Sequence, residues 1–257
     1  MGVKSLWGLM KVLFPESLAE CTSGAQARAA CGLLASSSTT STSAPTSKAK
    51  PNSKPRARGT AAVHVAIDVN SFLHRASFSI GGGGGGDDSS TAAADKVVAA
   101  VRRKIDNILF ARLESSDKSA GAAKLTVPGV SVKSLFIAVD GPPPLPKLLL
   151  QRSRRQETAK KRRTTTKALR FNSLNFTPGS LFMTRLDAAL SHYAATIVAR
   201  SPWIQEVIVR GSRDPGEGEV KIVKRIVTPI PTTKPTETHV HMIVTGDSDA
   251  IIQSNRP

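Results

Sequence analysis

Residues Leu135–Arg163 read LFIAVDGPPPLPKLLLQRSRRQETAKKRR. Leu135 to Val139 is an unbroken apolar run, of the length and character of a parallel strand buried on both faces. Asp140 ends the run. A carboxylate there stands at the carboxyl end of a strand, where open α/β sheets bind their ligands. Gly141 and the prolines at 142–144 impose a rigid, non-helical exit. The segment beyond them is predicted to be helical, and Lys147, Gln151, Arg154 and Arg155 then share one face at i, i+4, i+7 and i+8. Cations and an amide on one face, a few residues beyond an acid, suit a terminal phosphate held beside a metal. A solvated basic helix, or a nuclear import signal around Lys160–Arg163, accounts for the same residues in a blander way.

Working outward, the same strand-then-acid pattern recurs. Val63–Ile67 (VHVAI) reads as a first strand ending at Asp68, with a helix starting over Asn70–Ser77. Val97, Val98, Val101, Ile105, Ile108 and Leu109 follow the 3.6-residue period of an amphipathic helix over Ala92–Leu113. Residues 115–129 read as loop. Pro178 and Gly179 precede a helix whose apolar face carries Leu181, Phe182, Leu186, Leu190, Tyr193 and Ile197. Trp203–Val209 is the third predicted strand, Val220–Ile226 the helix after it, and His239–Val244 the fourth strand, leading into TGDSD. Alternating strands and helices predict an α/β fold with a mostly parallel central sheet flanked by helices on both faces. His64, His239 and His241 lie within predicted strands and read as structural.

Low-complexity segments interrupt this pattern. Residues 36–60 are dominated by Ser, Thr, Pro, Lys and Ala and read as a disordered insertion. Residues 81–95, opening on six glycines, read as a Gly/Ser-rich linker insertion. The glycine run lacks the spacing and the GK[ST] ending of a phosphate-binding loop. Near the start, residues 4–14 have the spacing of a short amphipathic helix that Pro15 ends.

The chain of 257 residues carries 36 Lys and Arg against 19 Asp and Glu, a net charge of +17. Such an excess predicts a polyanionic partner and salt-sensitive binding. The two cysteines, Cys21 and Cys31, fit no zinc spacing and give no disulfide framework, which favours a reducing compartment. No run reaches membrane-spanning length, and no secretory signal core opens the chain. The expectation is an intracellular protein of the nucleus or the cytoplasm with no membrane partner.

Against that basic background, acids stand after every predicted strand: Asp68, Asp140, Glu217 with Glu219, and Asp247 with Asp249. In a parallel sheet these positions lie along one rim. Carboxylates that close cannot all stay ionised uncompensated, and a hard cation such as Mg²⁺ or Mn²⁺ is the natural partner of such oxygens. Two such ions about 3.5–4 Å apart would activate a water and stabilise the leaving oxygen of a phosphodiester. Taken singly, Glu217 and Glu219 also suit a helix N-terminus, and Asp247 and Asp249 a turn or cap.

Several blocks resemble the N-terminal catalytic region of the Xrn family of 5′→3′ exoribonucleases. They are the opening MGV, IDVNSFLH at 67–74, AVDGPPPLPKLLLQRSRR at 138–155, FTPGSLFMTRL at 176–186, DPGEGEVKIV at 214–223 and TGDSDAII at 245–252. The resemblance implies a PIN/5′-nuclease-like fold over residues 1–257, incomplete at its C-terminus. It implies that Asp68, Asp140, Glu217, Glu219, Asp247 and Asp249 are catalytic, metal-site acids. Lys147, Gln151, Arg154 and Arg155 would form a pocket for a 5′-monophosphate, and His74 would stack on the first base. The implied activity is Mg²⁺- or Mn²⁺-dependent, processive hydrolysis of single-stranded RNA from a 5′-monophosphate to nucleoside monophosphates, in RNA decay or processing. Val220 departs from the family's usual histidine. Flap-type endonucleases share the broader fold and an opening like MGVKSLW, but not the Lys147–Gln151–Arg154–Arg155 face. A non-catalytic RNA-binding fragment is the remaining alternative.

Overall fold

The computed structural model describes residues 61–80, 90–110, 130–163, 173–228 and 238–246. The helix expected over 4–14, the stretch 36–60, the glycine run at 81–86, and Asp247 and Asp249 lie outside them. The elements in chain order are β1 (Ala61–Asp68), α1 (Asn70–Ile80), α2 (Ser90–Phe110), β2 (Val130–Ala138), α3 (Leu145–Arg163), a 3₁₀ turn (Ser173–Phe176), α4 (Leu181–Arg200), β3 (Glu206–Arg210), α5 (Gly218–Val227) and β4 (Thr238–Val244).

The strands form one sheet in the order β3-β2-β1-β4, and every neighbouring pair is parallel. The expected α/β architecture with a parallel sheet is therefore present. Chain direction across the sheet reverses between β1 and β4, because β2 and β3 build outward on one side of β1 and β4 returns to the other. Such a reversal opens a crevice at the carboxyl ends of the two strands. Asp68 closes β1 at that crevice.

Alternation along the strands sorts side chains onto two faces. Val63, Val65 and Ile67, with Leu135, Ile137 and Val139, pack against apolar residues of α1, α2 and α4, including Leu73, Val97, Val101, Ile105, Met183, Leu186 and Leu190. Ala66, Phe136 and Ala138 face the other way and meet Ile222 and Ile226 of α5. Burial on both faces explains the unbroken apolar run in β2. Tyr193 of α4 is buried, but its hydroxyl donates to Asp106 of α2 at 2.8 Å, so its polar end is satisfied.

Several boundaries differ from the sequence expectation. β2 starts at Val130, ahead of Leu135, because its first residues pair in register with Ala61–Val63 of β1 before a shift at Val63/His64. β3 starts at Glu206 rather than Trp203: Ile204 N–H is turned back onto the Ser201 carbonyl, and only Gln205 reaches across to the Lys133 carbonyl. α2 starts at Ser90, so the last part of the 81–95 segment is helical. α5 starts at Gly218, two residues ahead of Val220.

On the α5 side, His64 Nδ1 lies 2.8 Å from Ser134 Oγ and His64 Nε2 lies 2.9 Å from His239 Nδ1. His241, the register partner of His64, sits 5.3 Å away ring to ring. These histidines are structural, as expected from their strands, but they act as a cross-strand group. Burial, then the neighbouring His241 and His239, push His64 down from 6.5 to about 4. Between those values the unfolded chain takes up a proton that the folded chain refuses. Stability supplied by neutral His64 is thus complete above pH 6.5 and is lost as pH falls toward 4. The full shift corresponds to roughly 3 kcal/mol, most of it lost already by about pH 5. Urea unfolding at pH 7.5 and pH 5 should show a larger acid loss in the wild type than in His64→Gln. Equal losses would contradict this account.

Candidate active site

The acid rim is built by the first residues past the strands. Asp68 caps the entry into α1 by accepting the Asn70 N–H at 3.1 Å, and its other oxygen accepts from Thr245 Oγ at 3.1 Å. Thr245 follows β4 directly, so this bond spans the crevice at the sheet's reversal. Asp140 accepts the Gly218 N–H at 2.7 Å, and its own N–H donates to Asn70 Oδ1 at 3.3 Å. Glu217 occupies the N-cap position of α5 without a capping bond, and its carboxylate instead pairs with Lys147 of α3. The helix N-terminus read as the alternative setting for Glu217 and Glu219 is thus where both acids stand, although Glu217 makes no side-chain capping bond. Glu219 lies in the first turn of α5.

A cradle lies among these groups. A Cβ on Gly218 would stand 2.8 Å from Asp68 Oδ1 and 3.4 Å from Asp140 Oδ1, so only a hydrogen separates this backbone from two carboxylates. Burial first, then the nearby Asp140 charge, push Asp68 up from 3.8 to about 6. Burial also raises Asp140, against the opposing Gly218 N–H bond. Two desolvated carboxylates that resist ionisation side by side make a hard-oxygen donor set, and a divalent cation between them would relieve the cost. Among the described residues, however, no three acid or imidazole side chains already stand with full metal-ligand spacing. The donors fit Mg²⁺ or Mn²⁺ in chemistry, with Asp68, Asp140, Glu217 and Glu219 as the described candidates.

The loops carrying these acids are joined through their main chains. Gly141 N–H donates to the Gly216 carbonyl at 2.9 Å, and Gly216 N–H donates to the Pro142 carbonyl at 3.0 Å. Gly216 needs its φ of +99° to make that return, a conformation costly for other residues. Asp187 of α4 accepts from Ser212 N–H and, at 2.8 Å, from Ser212 Oγ, fixing the base of the turn.

Beside the rim lies an open cleft of about 260 Å³, bordered by Asp140, Gly141, His74, Gln151, Arg154, Arg155 and Phe176, among others. Three residues of the face read from spacing thus share one cleft with a rim acid. Arg155 donates to Gln151 Oε1 at 3.0 Å, which orders that pair. Lys147 is on the same helix but turned to Glu217. His74 projects from α1 with its ring edge-on to Phe176, 5.1 Å between centroids. Partial desolvation lowers the His74 imidazole below its ordinary value, against the pull of the Asp140 carboxylate.

Asn70, Thr245, Asp187 and Phe176 were not singled out by sequence reasoning. Each acts through a partner distant in sequence, so no local spacing marks it. Asn70, Phe176 and Thr245 carried a hint, since they lie in the IDVNSFLH, FTPGSLFMTRL and TGDSDAII blocks, whereas Asp187 lies just outside them.

An acid rim beside a basic helix face, at the carboxyl ends of a parallel sheet, is an arrangement suited to a phosphate ester. The family model described as XRN 5'-3' exonuclease N-terminus matches residues 124–254, just over half of the chain, and the protein belongs to that family. A search among curated proteins gives no match.

Proposed function

We propose that the protein is a 5′→3′ exoribonuclease that hydrolyses 5′-monophosphorylated single-stranded RNA to nucleoside monophosphates, in RNA turnover in the nucleus or cytoplasm. The observation that carries this reading is the cleft in which Gln151, Arg154 and Arg155 face Asp140 and His74. The guanidinium forks of Arg154 and Arg155 take up the terminal phosphate through charge-assisted bonds. Gln151 holds the Arg155 fork in plane through the 3.0 Å bond. The His74 ring, braced by Phe176, offers a flat apolar surface to the first base, which favours a single strand and is blind to sequence. The Gly218 N–H holds the Asp140 carboxylate and Asn70 holds its main chain, at the border of the cleft where the bond after that nucleotide would lie. Divalent cations held by Asp68, Asp140, Glu217 and Glu219, with Asp247 and Asp249, would supply the activated water and stabilise the departing oxygen.

The direct test is decay of end-labelled RNA by the purified chain, comparing 5′-monophosphate with 5′-hydroxyl ends, with Mg²⁺ and with chelator. Metal-dependent release of mononucleotides from the phosphorylated RNA is expected. Internal cuts, or equal decay of both ends, would refute the reading. Arg154→Ala should cut the preference for the phosphorylated end by about tenfold or more, corresponding to one charge-assisted contact of about 1.5–3 kcal/mol. The kcat/KM ratio of the two RNAs measures it, and an unchanged ratio would remove Arg154 from the pocket.

A further inference from the structure

Lys221 is a buried lysine that the reading above leaves without a role. It sits in the first turns of α5, 7% exposed, and its ammonium donates to the Val139 carbonyl at 2.7 Å and to the Gly211 carbonyl at 2.9 Å. Those carbonyls lie where the β2–β3 ladder runs out. Val139 N–H still bonds the Arg210 carbonyl at 2.9 Å, and beyond that rung the regular ladder gives way to the irregular contact of the two loops through Gly141, Gly216 and Pro142. Val139 leads directly into Asp140, and Gly211 opens the turn that ends at Glu217 and passes into α5 with Glu219 in its first turn. A single side chain therefore ties together the roots of both acid-bearing loops. Burying a lysine is costly, and burial does lower its pKa, against the pull of Asp214, Asp140 and Asp187. An ammonium offers what this junction needs: more than one donor from one point, reaching carbonyls on two strands.

We propose that Lys221 is a positioning residue that sets the separation of Asp140 from the Glu217–Glu219 turn and so tunes the rim for a divalent cation. The proposal rests on the metal reading of the rim, but its mechanical half does not. It also differs in sign from a purely electrostatic role. Removing a positive charge near carboxylates would by itself strengthen cation binding. Losing the tie that spaces the ligands weakens it.

The experiment compares the full chain with Lys221→Met, which keeps most of the stem, and with Lys221→Gln, which keeps amide donors without charge. Mn²⁺ affinity is read from the free-ion electron paramagnetic resonance signal, and the 211–217 segment by amide hydrogen exchange. In Lys221→Met the expected results are Mn²⁺ affinity lower by about tenfold and faster exchange in 211–217, with Lys221→Gln in between. Tighter Mn²⁺ binding in Lys221→Met, or unchanged affinity and exchange, would overturn the proposal. If Lys221→Met does not fold, Lys221→Gln decides by the same readouts. If the wild type binds no Mn²⁺, the metal reading of the rim falls. Exchange in 211–217 then decides the positioning role alone: faster exchange in the variant upholds it and equal exchange refutes it.

Discussion

Asp68→Asn should abolish turnover and at the same time make the cation-free protein more stable. Loss of hydrolysis by at least about 10³-fold is expected, equivalent to about 4 kcal/mol of transition-state stabilisation. Asparagine can keep the bond from the Asn70 N–H and the link to Thr245, so the local structure should survive. What it removes is a buried charge facing Asp140. Asp68 is pushed up to about 6 from 3.8, so in the folded state its ionisation is disfavoured. For a raised carboxylate the cost is absent below pH 3.8, grows through the interval to pH 6 and is complete above it. The gain from Asp68→Asn should then be about 1–3 kcal/mol at pH 7.5 and should fade toward pH 4. Mg²⁺ should raise the Tm of the wild type and close the gap with the variant. Asp140→Asn should likewise lose turnover while RNA is still bound. Chemical unfolding with and without Mg²⁺, beside the decay assay, measures all of this. A variant less stable than wild type at pH 7.5 in chelator, or one with full activity, would refute the assignment. A site that gains stability when its function is removed is the usual signature of a strained catalytic centre.

Gly141→Ala should be nearly as damaging to function by a different route. The added Cβ would stand 1.7 Å from the Asp214 carbonyl oxygen and 2.8 Å from its carbon. The obstacle is backbone, so no rotamer relieves it, and the two loops must move apart. Overpacking of this kind costs about 1–3 kcal/mol in stability. The larger effect is on turnover, because the parting breaks the Gly141–Gly216 and Gly216–Pro142 bonds that set Asp140 against Glu217. A displacement near 1 Å in such a site costs on the order of 10²-fold in rate. The decay assay and thermal unfolding check it together: activity within threefold of wild type would mean that the loops are not held in contact.

Much of this arrangement was legible in the chain. Asp68 and Asp140 could be read because each ends an apolar run, and the end of a parallel strand has one place to be. Gln151, Arg154 and Arg155 could be read because helical spacing alone puts them on one face, and all three border one cleft. Lys147, on the same face, turns instead to Glu217, since a long flexible stem can choose between a helix neighbour and an acid on another loop. Lys221, Asp187 and Ser212 were invisible for a different reason: their partners come from other elements, and only tertiary packing chooses them. The grouping of the three histidines depends on the register of β1 against β4, which the pattern of a single strand does not show. The start of β2 was missed because Ser131, Lys133 and Ser134 break the apolar pattern while the backbone continues to pair.

The paired bonds between Gly141, Gly216 and Pro142 run from main chain to main chain, and this determines how the site responds to mutation. In most catalytic loops geometry is encoded in side chains, so damage is spread over many positions. Here the contact between the two loops is written in backbone amides, with the Asp187–Ser212 and Lys221 side-chain ties only at their roots, and the side chains of Arg213 and Pro215, both exposed, take no part in it. A saturation library across residues 211–218 should therefore give a sparse and sharply divided map. Glycines 216 and 218 should be intolerant even of alanine, while Arg213 and Pro215 accept most replacements. The robustness of the loop and its fragility are then the same property, seen at different positions along eight residues.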